Sequence, residues 1–378
     1  MDRAFFRSAA FTVLACAAIA LLGRSEPKAS YNAPGLWFHQ RVIRMMHDRN
    51  LNKNASAEEI AGYYEGLLAG RPVQMLERSR QSEQWRFRGD YLYYEAKPHL
   101  DIADYNHDPT LRHVTNSFGM PDVEYPQQKP ANTRRLAVLG DSITRGKGAR
   151  FGETYDALFE NYLNEHPDNP TRFEVLNFSD NGYRLTQLVD VALEKVQGFD
   201  PDVYVLCLTQ LAVNRKWGDH IGQLVWDRID LKYPFLKDLA TTARLDSRDP
   251  PSTMDAKLAV HRLPAIRWAL TTLRDHAKRQ GTVLVVILVP AAADADDQRQ
   301  VFAGPLEILG ELEIVTINLL DTFNGIDDFA ALRVIEGDVH PNGAGHRRIF
   351  ESLKRQVGAD RTIATALLGP EPDRISLR

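Results

Sequence analysis

The chain has 378 residues, 44% of them hydrophobic and 25% charged, with a formal net charge of −4 and a pI near 6.3. That is enough for one large α/β domain with additions or for two domains, and it supplies no global basic field of the kind nucleic-acid binding draws on. The two cysteines, Cys16 and Cys207, both lie in apolar runs, which argues against a disulfide framework or a cysteine-based metal site.

Residues 1–29 read as a targeting segment, because Arg3 and Arg7 precede an uncharged apolar run over 8–23. As a helix this run would span roughly 24 Å against a hydrocarbon core of about 30 Å, so length leaves a signal peptide and a single-pass anchor both open. The small-residue cleavage pattern at Gly23 and Ser25 is weak, which favours an N-terminal hydrophobic helix retained as a membrane anchor. Either version exports the body of the protein to the periplasm or the extracellular space, and cleavage would make it secreted.

Residues 30–130 form a polar, aromatic and irregular lead-in. One helix stands out in "SAEEIAGYYEGLLAG", where Ser56 and Glu59 have capping-box spacing and Gly70 is a stop. Beyond it, "GDYLYYEAKPHL" and "TNSFGMPDVEYPQQKP" predict a short strand and extended segments lying against the next domain.

A main domain is expected over 131–360, with a tail over 361–378. Its strands are "RLAVLG", "FEVLNFS", "DVYVLCL", "TVLVVILVP" and "EIVTINLLD", continuous Val/Ile/Leu runs suited to a sheet covered on both faces. Between them lie helical stretches. In "TYDALFENYLNEH", Tyr155, Leu158, Phe159, Tyr162 and Leu163 make one apolar stripe, and "LTQLVDVALEKVQG" and "LPAIRWALTTLRDHAKRQG" end at a glycine before a strand. This alternation predicts a three-layer α/β/α sandwich around a mainly parallel five-stranded sheet, with function at the carboxyl ends of the strands. The segment from Lys216 to Thr253 fits no such unit, and covering the cleft and binding a partner both stay open for it.

The first strand runs into "GDSITRGKG". The interval from Gly140 to Gly146 is one residue too long for a P-loop, and Gly148 occupies the place of the metal-binding hydroxyl. Thr144 stands where the hydrolase elbow G-x-S-x-G has its second glycine. What remains is Ser142 at the end of a buried strand, a nucleophile that needs a base and an orienting acid. Near the C-terminus "EGDVHPNGAGH" supplies both: His340 in a tight turn as general base and Asp338 two residues earlier to hold its tautomer. Glu336 is the weaker candidate for the acid. His346 reads as solvent-exposed packing, and Arg145 and Lys147 as solvated loop charges, with contact to an anionic substrate a lesser alternative.

Taken together, "GDSITRG", "VLNFSDNGYRLTQ" and "DVHPNGAGH" resemble the first, second and last blocks of the SGNH (GDSL-type) hydrolase superfamily, and the lead-in resembles that of its longer exported members. The resemblance covers roughly Tyr91 to Val357 and implies a flavodoxin-like layering. It also implies an oxyanion hole formed by the backbone N–H groups of Ser142 and Gly182. The third block departs from the family. Where it carries an oxyanion-binding Asn, this chain reads "LCLTQLAVNR", which leaves Gln210 as the nearest amide and Asn214 only if the loop folds inward.

The function expected is a serine ester hydrolase acting outside the cytoplasm, with no metal or organic cofactor and no nucleic-acid partner. The resemblance implies a small acyl ester or O-acetylated carbohydrate as substrate, with lipid esters second. An O-acyltransferase using the same triad and a non-catalytic carbohydrate-binding protein stay open as alternatives. The sequence leaves the oligomeric state unassigned.

Overall fold

The computed structural model describes residues 83–372 apart from 105–107, 166–168, 170, 215 and 327. The apolar run at 8–23 and the helix expected over 56–70 lie outside the described residues. Among the described residues, no helix is long and apolar enough to cross a membrane.

Four short strands come first: β1 (Trp85–Phe87) pairs antiparallel with β2 (Tyr94–Ala96), and β3 (Asp101–Asp104) with β4 (Asp108–Val114). The main sheet follows with β5 (Thr133–Leu139), β6 (Arg172–Asn177), β7 (Val203–Leu208), β8 (Val283–Leu288) and β9 (Val315–Asn318). The helices are α1 (Ser142–Arg145), α2 (Tyr155–Asn164), α3 (Leu185–Glu194), α4 (Gln210–Val213), α5 (Asp219–Trp226) and α6 (Pro234–Thr242). They continue with α7 (Pro251–Ala259), α8 (Arg262–Arg279), α9 (Ala295–Glu311), α10 (Gly343–Ala359) and α11 (Arg361–Leu368).

The five-stranded sheet is parallel throughout, in the order β6-β5-β7-β8-β9. Its strands are apolar at nearly every position because side chains alternate between two covered faces. Leu136, Val138, Val205, Cys207, Val285 and Ile287 pack with Tyr155 and Phe159 of α2, Ile349 and Leu353 of α10, and Leu367 of α11. Their neighbours Ala137, Leu139, Leu206, Leu208, Val286 and Leu288 pack with Leu188 of α3, Ala269 and Leu273 of α8, and Phe302 of α9. The result is an α/β/α sandwich. Helix α11 lies beyond the boundary expected at residue 360, yet its Ile363, Ala364, Leu367 and Leu368 are part of the core.

Two further features tie the additions to the sheet. Arg135 of β5 is wholly buried. Its guanidinium pairs with Glu174 at 2.7 Å and donates to the carbonyls of Pro126, Gln127 and Phe199, fixing the end of the lead-in. The segment that sequence left unassigned folds as α5, α6 and the start of α7. Its Trp217, Ile221, Leu224, Leu236 and Leu239 join Tyr91 and Tyr93 of the lead-in in a third apolar cluster.

Candidate active site

Parallel strands deliver their carboxyl ends to one edge of the sheet, and the loops leaving β5, β6 and β7 meet there. Leaving β5, the chain turns at Asp141 into the single-turn helix α1, whose first residue is Ser142. Asp141 Oδ1 accepts from Ile143 N at 3.0 Å, and its other oxygen accepts from the hydroxyl of Thr209, the residue that follows β7. Asp141 is 2% exposed, and burial raises its pKa, opposed by the Thr209 and Ile143 hydrogen bonds. One carboxylate therefore caps the turn that carries Ser142 and joins it to the neighbouring loop.

The second half of the site comes from the segment before α10. Arg333 bridges Pro341, Val334 N donates to His340 O at 3.1 Å, and Ala292 N, just past β8, donates to Val339 O at 2.8 Å. Asn342 caps α10 through Ala344 N and Gly345 N, and its amide donates to Ala331 O and Arg333 O at 3.0 Å each. These bonds hold the turn 338–342 at a fixed height above the sheet.

Across this junction Ser142 Oγ lies 2.6 Å from His340 Nε2. His340 Nδ1 is hydrogen-bonded to Asp338 Oδ1, which also accepts from His340 N at 2.9 Å. A ring whose Nδ1 donates to a carboxylate carries its free lone pair on Nε2, facing the serine, and that is the tautomer a general base requires. Ser142 and His340 are 7% and 6% exposed. Glu336 is exposed on the same loop.

Gly182 and Gln210 stand on the two flanking loops, after β6 and β7. Gly182 has φ +77°, and a Cβ there would come within 2.9 Å of the Tyr94 hydroxyl. That hydroxyl donates to the carbonyl of Asn181, the same peptide group that carries the Gly182 N–H. Gln210 is the first residue of α4, directly after Thr209; it is 1% exposed and its Oε1 is buried without a hydrogen bond. Asn214 is turned to a local task, its Oδ1 accepting from Lys216 N at 2.9 Å.

Two expectations are corrected. His346 is 0% exposed rather than solvent-facing: its ring stacks on Tyr155 at 5.9 Å, and burial together with the charge of His340 pushes its pKa down to about 3. Arg145 and Lys147 are not free loop charges. Arg145 is buried and pairs with Asp180 at 3.1 Å, while Lys147 Nζ lies 3.5 Å from Asp338 Oδ2. The reason is the same in both places. Each side chain is covered by a neighbour distant in sequence, Tyr155 for His346, Asp180 for Arg145 and Asp338 for Lys147, which sequence spacing does not display.

Thr209, Asp180 and Asn342 were not singled out from sequence. Asp180 accepts from Trp85 Nε1 at 3.0 Å and from Ala96 N at 2.8 Å, so it fastens the β1–β2 hairpin to the loop that carries Gly182. A Ser, Thr, Asn or Asp in a turn has many local uses, and only the fold says which. Among the described residues, no group of three or more His, Cys, Asp or Glu side chains is placed to hold a metal ion.

No protein-family model matches the chain, and no curated protein matches it either. Among solved structures, it is similar to a catalytic mutant of an acetylxylan esterase from Geobacillus stearothermophilus, with 18% identity and a TM-score of 0.41 over 60% of this chain and 94% of that one. It is also similar to an alpha/beta hydrolase from the metagenome of Lake Arreo, with 17% identity and a TM-score of 0.41 over 60% and 95%. A third similar structure is a two-domain esterase active on acetylated mannans, with 13% identity and a TM-score of 0.40 over 61% of this chain and 50% of that one.

Proposed function

We propose that the chain is a serine ester hydrolase in which Ser142 is the nucleophile, His340 the general base and then acid, and Asp338 the residue that orients His340. The observation that carries this reading is the unbroken hydrogen-bonded series Ser142 Oγ, His340 Nε2, His340 Nδ1, Asp338 Oδ1. His340 takes the hydroxyl proton as Ser142 Oγ attacks the acyl carbon. The resulting imidazolium is stabilised by Asp338, and its proton passes to the leaving alkoxide. Water, deprotonated by the same imidazole, then releases the acid.

The backbone N–H groups of Ser142 and Gly182 and the amide of Gln210 are the donors for the oxyanion. In support, Gly182 and Gln210 belong to the loops on either side of Ser142, and the Gln210 amide is packed away from solvent rather than free to swing. A Gln here has the donor of the missing Asn on an arm longer by one methylene, and burial removes the entropy cost that a longer arm carries in solution.

The substrate class that the sequence resemblance suggests is a small acyl ester, with O-acetyl groups on extracellular carbohydrate first and lipid esters second. The amino-terminal run at 8–23 suggests tethering at a membrane with the catalytic domain outside the cytoplasm. The same acyl-enzyme would serve an O-acyltransferase. The low exposure of Ser142 and His340, 7% and 6%, is the observation that keeps this reading beside hydrolysis.

The test is p-nitrophenyl acetate turnover by the full chain. Ser142→Ala and His340→Ala are expected to lower kcat by about four to six orders of magnitude, and Gln210→Ala by roughly a hundred- to a thousandfold. Acyl transfer to an added sugar alcohol in place of water identifies the transferase. Wild-type activity that survives Ser142→Ala overturns the nucleophile assignment.

A further inference from the structure

We infer that Lys147 is a positioning residue of the acid–base pair: its ammonium holds the second oxygen of Asp338, which keeps the first oxygen on the His340 ring and offsets part of the negative charge that the ring faces. The inference rests on the esterase reading above for its catalytic meaning. Its physical content, an electrostatic link between Lys147 and His340, does not.

The local sequence is Gly146-Lys147-Gly148, and both glycines have positive φ, +88° and +96°. Left-handed backbone on both sides of one residue makes a tight reversal directly after the nucleophile's turn, with Lys147 N donating to Ser142 O at 3.0 Å. A Cβ on Gly148 would lie 2.9 Å from the carbonyl oxygen of Pro341 and 2.8 Å from Val334 Cβ. The absence of that Cβ lets the nucleophile's loop lie directly against the loop carrying Asp338 and His340. The lysine between the glycines is thereby presented to Asp338.

The carboxylate is shared in an ordered way. Oδ1 takes the His340 ring and the His340 N–H, and Oδ2 lies 3.5 Å from Lys147 Nζ. The two side chains are partly shielded, with 23% of Lys147 and 16% of Asp338 exposed. A cation on Oδ2 orients the carboxylate with Oδ1 toward the ring. It also offsets part of the negative charge that faces the imidazole. Among the described residues, other charged or titratable groups around the pair include Asp141, which faces His340 from the β5 loop, His346 from α10, the exposed Glu336 on the loop of Asp338, and Arg333, whose guanidinium senses the charge of Asp338. His346 is neutral through the working range, its pKa being pushed down to about 3, and Arg333 is engaged with Ala292 O and the Phe329 ring.

The experiment compares wild type, Lys147→Met and Lys147→Arg as the full chain. One readout is the pH profile of kcat/KM for p-nitrophenyl acetate, and the other is the titration of the His340 imidazole followed by 15N NMR. In Lys147→Met the acidic limb and the imidazole titration are expected to move up by about half a pH unit, a loss of about threefold in kcat/KM below the limb. Lys147→Arg restores the wild-type position, and added salt narrows the difference. Limbs and titrations that coincide in Lys147→Met and wild type, at equal thermal midpoints, overturn the inference. A shifted titration in a protein with no turnover upholds the link and overturns the esterase reading instead, so the two fail separately. If Lys147→Met does not fold, Lys147→Gln takes its place with the same expected shift.

Discussion

At the scale of single residues, burial sets what each ionisable group does. His340 keeps a carboxylate and a serine within hydrogen-bonding distance, whereas His346, six residues on, has lost its water without gaining a charge partner and is held neutral. A histidine whose folded pKa is depressed, here from 6.5 to about 3, contributes stability that is present above the unfolded value and is lost as pH falls below it. Between pH 6 and pH 4 the unfolded chain binds a proton at this position and the folded chain does not. Wild type should therefore lose about 1.4 kcal/mol more stability per pH unit than His346→Gln over that interval, measured by urea unfolding at several pH values. Equal slopes would mean that His346 is solvated. Cys207 follows the same physics: burial pushes its thiol up to about 12, so it is a core side chain rather than a nucleophile.

At the scale of elements, the strand-to-helix turns work because buried polar groups lock them to one another. Arg135 on β5 is the strongest case. Its guanidinium bonds Glu174 on β6 and three backbone carbonyls, with the Arg135 and Glu174 side chains 0% and 4% exposed. Arg135→Met leaves the Glu174 carboxylate buried and unpaired and is expected to cost about 3–5 kcal/mol in chemical denaturation. Removing the stranded charge as well, in Arg135→Met/Glu174→Gln, should recover part of that loss. No recovery would place the cost in packing and in the orphaned carbonyls of Pro126, Gln127 and Phe199. The Asp180 contacts do comparable work nearer the site, since they bind the β1–β2 hairpin and Arg145 to the loop that carries Gly182.

At the scale of the whole molecule, the parts of the fold that were legible in the sequence are those whose pattern is dictated by burial alone. Strands β5 to β9 lie where Val/Ile/Leu runs stood, because a parallel strand covered on both faces has no other composition. Helix α2 lies where an apolar stripe repeated, and α3 and α8 where helical stretches ended at a glycine before a strand. The hairpins β1–β2 and β3–β4 were not legible beyond one short strand, since strands of three to seven residues rich in charged side chains carry little periodicity. Helices α5 to α7 were hidden for a related reason. They are eight or nine residues long, and none has a side-chain cap at its start. Ser142, His340 and Asp338, which the structure brings into one hydrogen-bonded series, could be picked out because their residue types and order have a chemical logic. The partnerships of Asp141 with Thr209 and of Lys147 with Asp338 could not, because they join residues separated by 68 and 191 positions through the layering of loops.

The central claim is that the Gly140-Asp141-Ser142 turn is a platform for a nucleophile. The most direct measurement is peptide mapping by mass spectrometry after treating the folded full-length protein with a fluorophosphonate, for wild type and His340→Ala. The account predicts a phosphonyl adduct on Ser142 in wild type, formed at least about a thousandfold more slowly in His340→Ala, since only a serine paired with a base attacks such a centre. A folded wild type that carries no adduct on Ser142, or carries one equally fast without His340, would contradict it.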